Sequence, residues 1–183
     1  MKATAVLVTL TLVLLAPPAV SQVPDDKLIV PGVRIGKWTL EMSIDDLTKV
    51  NGPGESGRLR GDDVQDGLAL RRWSPLGLEA VHRVGQTRVE YLSIGPTALA
   101  DAATVRSFTT GKGIGISAKG SQVFAAYGPP TAEIYRMSGA KRPIYDGLGI
   151  AFWLIPVRIP SQDFDVATIY LFRPGAAKTI WKF

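Results

Sequence analysis

The feature that most constrains the fold is a pattern that occurs twice along the chain. Residues 40–54 and 116–130 can be laid over each other, because each has a small polar residue near its start, apolar positions at helical spacing and a Gly-Pro end. Ser43 and Ser117 are the predicted N-caps. Glycine tolerates the left-handed cap and proline cannot continue a helix, so each segment predicts a short helix.

Runs rich in β-branched and aromatic residues follow each helix and predict strands. The runs are 68–73, 77–84 and 87–94 in the first half, and 132–137, 144–154 and 167–173 in the second. Turn residues such as Ser74-Pro75 separate them. The sequence therefore predicts an α+β fold of two tandem helix-plus-antiparallel-sheet repeats that share one core.

These patterns divide the chain into four parts. We predict a signal peptide at 1–21, a first α+β repeat with an N-terminal arm at 22–95, a linker at 96–112 and a second repeat at 113–183. The arm contains the apolar segment 28–35, an extra strand or an extended arm, and the linker contains a short helical pattern at 98–107.

The N-terminus has the order of segments that is typical of a secretory signal. Lys2 precedes an uncharged, largely apolar stretch at 3–16, and cleavage after Ser21 would put Ala19 at the −3 position. The alternative is an uncleaved membrane anchor, but an apolar stretch of about 14 residues is short against the roughly 20 that cross a bilayer. We expect a periplasmic or secreted protein with no stable membrane anchor after cleavage.

Charge and cysteine content exclude several classes of function. The chain has no cysteine, which excludes disulfides, thiolate metal sites, a cysteine nucleophile and a lipidated cysteine. The formal net charge is +5, but lysines and arginines are scattered among acids rather than clustered. We therefore predict no nucleic-acid partner.

The second helical segment and its surroundings carry a resemblance to known proteins. The stretch 113–130, which ends in Ala126-Tyr127-Gly128-Pro129-Pro130, resembles the repeat of secreted beta-lactamase inhibitor proteins and of the small modules of SmpA/OmlA-type outer-membrane assembly lipoproteins. Asn51 stands where Tyr127 stands in the second copy, so the first copy departs from the pattern. The resemblance implies an exported two-repeat fold, but it brings no binding residue within the matched stretches.

No residue pattern predicts catalysis, a metal site or a cofactor. His82 is the single histidine and cannot supply a zinc cluster, and no marked serine and aspartate accompany it as a triad. The glycine-rich stretch 111–115 lacks the Gly-Lys-Ser/Thr ending of a phosphate-binding loop. Both features are better explained as structural.

Two pairs of adjacent acids are candidates for general acid–base carboxylates. They are Asp45-Asp46 and Asp62-Asp63. Neighbouring residues on a helix point about 100° apart, and aspartate near a helix start is expected from the helix dipole. We therefore interpret these acids as structural, and we predict that the protein is not an enzyme.

Alternation in the second half predicts an aromatic sheet face. One parity of its strands holds Ile144, Leu148, Ile150, Phe152 and Leu154, which suits packing on the helices. The other parity holds aromatic residues that would form an open face, extended in the first half by Arg71, Trp73 and Tyr91. The candidate partner-binding residues, including one from the long loop 156–165, are Tyr145, Trp153, Arg158, Tyr170 and Phe172.

Several interpretations remain open at this point. The aromatic residues could instead fill the junction between the two repeats. The leading functional hypothesis is an exported soluble binding module that holds a protein or peptide partner on its open sheet face. The alternatives are a cryptic periplasmic hydrolase or carbohydrate-active enzyme and, prompted by the terminal Phe183, a small outer-membrane β-barrel.

Overall fold

The fold is described from a computed structural model, in which residues 24–59, 64–157 and 163–183 are placed. It confirms the α+β class. The described residues form two antiparallel-rich sheets and four helices, which are α1 (Ile44–Asn51), α2 (Ala102–Arg106), α3 (Gly120–Tyr127) and α4 (Ala177–Ile180). None of these helices is long and apolar enough to cross a membrane.

A small sheet and a large sheet make up the strands. The small sheet has the order β3-β2-β1-β8, with β1 at Leu28–Val30, β2 at Arg34–Ile35, β3 at Trp38–Thr39 and β8 at Thr109–Thr110. The large sheet has the order β4-β5-β6-β7-β12-β11-β10-β9. Its strands are β4 (Glu55–Arg58), β5 (Leu68–Trp73), β6 (Leu78–Arg83), β7 (Val89–Ile94), β9 (Ala132–Tyr135), β10 (Lys141–Tyr145), β11 (Ile150–Pro156) and β12 (Phe164–Phe172).

The large sheet is built from two meanders that meet in its middle. Helix α1 precedes the meander β4 to β7, and helix α3 precedes the meander β9 to β12. The last strand of each meander pairs antiparallel with the other, from Ile94 opposite Ile169 to Tyr91 opposite Phe172. The two halves thus have the same order of elements, while their origin as a tandem repeat and the predicted domain boundaries stay predictions.

The two predicted helix starts have different outcomes. Ser43 caps α1 as expected, since its hydroxyl accepts from the amide of Asp46. The predicted cap Ser117 is wrong, because Lys119 is the N-cap of α3. Ser117 instead lies in the left-handed region with φ of 69° and donates its amide to Val166 of β12. Both helices end at the predicted glycines, Gly52 and Gly128.

The predicted single strand 144–154 is wrong, because a turn divides it. A 3-10 helix at Asp146–Leu148 ends at Gly149, which has φ of 70°. A Cβ on Gly149 would lie 2.2 Å from the carbonyl oxygen of Phe172, so only glycine fits there. The turn changes the alternation, and it places Tyr145 rather than Ile144 on the face that packs against the helices.

That face of the large sheet, called the helix face, covers the larger core. Residues from both halves of the sheet meet there beneath α1, α3 and the small sheet. Fully buried members include Ile29, Leu47, Leu78, Leu92, Val123, Phe152, Ile169 and Leu171. Because one cluster draws on strands of both meanders, the two halves depend on each other for burial.

The opposite face of the sheet, called the far face, has its own cover from the same chain. Helix α4 and Trp181 pack on it, and Ile180 and Trp181 are fully buried. The Trp181 ring lies 5.1 Å from the ring of Phe172 and 5.7 Å from that of Tyr91. Val64 bridges to Trp181, and the amide of Gln65 donates to the carbonyl of Ile180, which holds the C-terminal segment down.

Replacement of Trp181 by alanine tests this cover. Trp181→Ala removes a fully buried indole, so we expect a loss of about 3–5 kcal/mol in the free energy of unfolding. The measurement is urea denaturation followed by circular dichroism. Phe183→Ala, two residues further on and 46% exposed, is the control and should change the free energy by less than about 0.5 kcal/mol. Equal effects of the two substitutions would show that the cover is absent.

Candidate functional site

A row of side chains crosses the far face from its first edge strand to its centre. The register places Glu55 of β4 opposite Arg72 of β5, and Arg72 opposite Glu79 of β6. Glu79 is opposite Ser93 of β7, which is opposite Tyr170 of β12. We call this row the open row, since Glu55, Arg72, Glu79 and Tyr170 keep exposed surface, although Ser93 between Glu79 and Tyr170 is buried. It joins the two halves of the molecule.

Beside the open row, aromatic rings enclose a buried cation. The guanidinium of Arg142 lies 4.9 Å from the ring centre of Trp153, 4.8 Å from that of Tyr170 and 5.2 Å from that of Trp181. Arg142 is 7% exposed. Cation–π contacts of this kind strengthen as water is removed, so Arg142 fixes the positions of Trp153 and Tyr170 next to the row.

Two clefts adjoin the outer end of the open row. The first, called the ladder cleft, has a volume of about 430 Å³ and lies between the open row and the segment 96–99. The second, called the edge cleft, has a volume of about 350 Å³ and lies between the end of α1 and the 3-10 helix Ser74–Leu76. Glu55, Arg72 and Ser74 line both, so the two clefts are neighbours.

Short polar contacts hold the residues that divide the clefts. Nε of Arg72 donates to Oε1 of Glu79 at 2.5 Å. The hydroxyl of Ser74, which is buried, donates to Oε1 of Glu55 at 3.0 Å. The hydroxyl of Thr97 in turn donates to the carbonyl of Ser74 at 2.6 Å. These bonds set the carboxylates of Glu55 and Glu79 in defined positions at the cleft walls.

Two of the five predicted partner-binding residues are not accessible. Tyr145 is 4% exposed and lies on the helix face, where its hydroxyl donates to the carbonyl of Gly128 at 3.1 Å. Phe172 lies on the far face but is fully buried under Trp181. The expectation that both belong to an open face is wrong, because the turn at Gly149 inverts the face of Tyr145 and the C-terminal segment covers Phe172.

The remaining predicted residues are distributed as follows. Trp153 and Tyr170 lie together on the far face, half-buried around Arg142. Arg158 lies outside the described residues, as does much of its loop. The predicted extension into the first half is wrong for Trp73 and Tyr91, which are buried on opposite faces of the sheet.

The histidine and the acids considered as candidates for catalysis have structural roles where the structure describes them. Nδ1 of His82 lies 2.7 Å from the carbonyl oxygen of Gln86, so it carries a proton and donates across the turn between β6 and β7. Asp46 accepts from the hydroxyl and amide of Ser43, and these bonds lower the pKa of its carboxyl. Asp45 is an exposed neighbour, and Asp62-Asp63 lie outside the described residues.

The described ranges contain no group of three or more histidine or acidic side chains placed to hold a metal ion. The glycine-rich stretch 111–115 forms a tight turn in which the amide of Gly113 donates to the carbonyl of Thr110.

Sequence reasoning missed Glu55, Arg72 and Glu79. Strand β4 has no β-branched residue, so its pairing with β5 left little signal in the sequence. The alternation of Leu68, Leu70 and Arg72 along β5 was available, and it places Arg72 on the far face. Without β4 and the register, nothing showed that acids flank Arg72 on both sides.

Comparisons with known proteins indicate the fold alone. Models of protein families give no match to the sequence, and neither do the curated proteins. Among solved structures, the chain is similar to the crystal structure of the uncharacterized protein YfeY from Escherichia coli, with a TM-score of 0.52 and 12% sequence identity. The match covers 80% of this chain and 99% of that one.

The buried position of Tyr145 predicts its titration. Burial, together with the negative charge of Glu133 and neighbouring Tyr127, raises the pKa of its phenol to about 12. We expect the ultraviolet difference titration between the wild type and Tyr145→Phe to have its midpoint at about 12. Because the folded-state pKa is raised, this group's contribution to stability is complete below the unfolded value of about 10 and is lost as the pH rises above it. A midpoint near 10 would place Tyr145 in solvent.

Proposed function

We propose that this protein is a non-enzymatic binding module that holds a protein or peptide partner on the open row and the ladder cleft. One observation carries the proposal. In the part of the chain that the structure describes, the C-terminal segment covers one part of the far face, while Glu55, Arg72 and Glu79 of the open row keep exposed surface and border a cleft. A partly covered sheet face that leaves polar and aromatic side chains accessible beside a cleft is typical of an interaction surface.

The composition of the open row and of the residues beside it supports a polypeptide partner. Tyrosine, tryptophan and arginine are the side chains that most often dominate protein interfaces, and Trp153, Tyr170 and Arg72 lie there. Leu99, 67% exposed, adds an apolar contact at the mouth of the ladder cleft. The Arg142 contacts hold the aromatic rings in place before binding, which reduces the entropy lost on association.

We also propose that the protein acts outside the cytoplasm, as a periplasmic or secreted protein. The charged, apolar and small-residue segments of residues 1–21 support this proposal. Because the chain has no cysteine, its stability does not depend on disulfide formation in any compartment.

A substitution at the mouth of the ladder cleft tests the binding site. Leu99→Asp puts a charge where we expect an apolar contact, so capture of a partner from the exported protein fraction should fall at least tenfold. Leu148→Asp is the matched control, since Leu148 is 45% exposed on the turn between β10 and β11, and it should capture as the parent does. The measurement is quantitative mass spectrometry of captured proteins. Undiminished capture by the Leu99 variant would refute the location of the site.

Sequencing of the mature N-terminus tests the proposed export. When the full chain is expressed in a Gram-negative host, we expect the protein in the periplasmic or culture fraction to begin at Gln22. A substitution of Ala19 by a large residue should slow processing, because the −3 position accepts small residues. Recovery of unprocessed chain from the cytoplasm alone would contradict export.

A further inference from the structure

The edge cleft has a rigid apolar wall. The side chains of Val50, Pro53, Trp73, Pro75 and Leu76 line it. The indole N–H of Trp73 donates to the carbonyl of Gly52 at 2.8 Å, and that of Trp38 donates to Oδ1 of Asn51 at 3.0 Å. These two bonds tie the end of α1 to the sheets, so the cleft is formed before any ligand arrives. A volume of about 350 Å³ is within the range of small-ligand sites.

Two opposite charges border this apolar wall. Lys37 lines the cleft with its ammonium 5.8 Å from the ring centre of Trp38, and no carboxylate of the described chain lies within ion-pair distance of it. The carboxylate of Glu55 accepts from Ser74, and no cation among the described residues pairs with it. Arg72, the other cation of the cleft, is engaged by Glu79. A ligand can therefore pair with Lys37 and Glu55 without breaking an existing ion pair.

The Asn51 side chain has a fixed position behind the same wall. Nδ2 of Asn51 is buried and has no hydrogen-bond partner in the part of the chain that the structure describes. Its orientation is set by the bond from Trp38 to the other amide atom. Because Nδ2 has no accessible surface, a ligand in the edge cleft does not reach it, and Asn51 contributes only to the shape of the wall.

From this arrangement we infer that the edge cleft binds a short apolar peptide with free termini. Glu55 receives the peptide ammonium, Lys37 receives its carboxylate and the apolar wall takes the side chains. A charged ligand without an apolar body would leave the wall uncovered, and a wholly apolar one would leave both charges unused. The inference rests on the proposed binding function and adds the chemistry of one ligand.

Calorimetric titration with trileucine tests the inference, with N-acetyl-trileucine and trileucine amide as probes that each lack one charge. We expect saturable binding of trileucine to the full mature protein, and about tenfold weaker binding of each capped peptide, because each loses a charge-assisted hydrogen bond. In Glu55→Gln the free and acetylated peptides should bind alike. In Lys37→Met the free and amidated peptides should bind alike.

The control variant is Lys178→Met, which removes an exposed lysine from α4, remote from the cleft, and should keep all three affinities unchanged. Thermal melting of each variant reports retained folding. Failure of trileucine to bind, or capped peptides that bind as tightly as the free one, would overturn the inference. If trileucine did not bind but partner capture still depended on Leu99, the proposed binding function would stand and only the peptide site in the edge cleft would be refuted.

Discussion

The antiparallel pairing of β7 with β12 is the interaction on which the rest of the structure depends. Without it, each half would be a helix with a four-stranded meander and would expose strands that are fully buried in the whole sheet. Ile94 lies opposite Ile169 and Leu92 opposite Leu171, and all four side chains are fully buried in one core. Sheets of this kind need an apolar cover on at least one face, and here the cover comes from helices and strands of both halves.

The same pairing creates the candidate site. Glu55, Arg72 and Glu79 come from the first half and Tyr170 from the second, and they form one row only because Ser93 lies opposite Tyr170. The C-terminal segment then seals the adjoining part of the far face with Trp181. The C-terminal segment thus decides which aromatic side chains remain accessible. Phe172 and Tyr170 lie on the same face of β12, but Phe172 is fully buried and Tyr170 is half-buried.

Local patterns in the sequence were sufficient to predict much of the fold. Strand β5 and both helix ends at Gly52 and Gly128 were predicted because alternation and Gly-Pro signals are local. The division of 144–154 was missed, although Trp73-Ser-Pro-Leu-Gly77 and Tyr145-Asp-Gly-Leu-Gly149 have the same form and make the same turn. The open row and the cover of Trp181 result from pairings between distant segments, which leave no local signal.

Native-state hydrogen exchange measured by NMR tests the central claim that the two halves form one cooperative body across β7 and β12. We predict that the amides of the paired residues in these two strands exchange only by global unfolding, with one free energy that equals the value from urea denaturation. Amides of one half that exchange at a distinctly lower free energy than those of the other would show that the halves unfold independently. That result would contradict the account, because the open row could not then be a fixed surface.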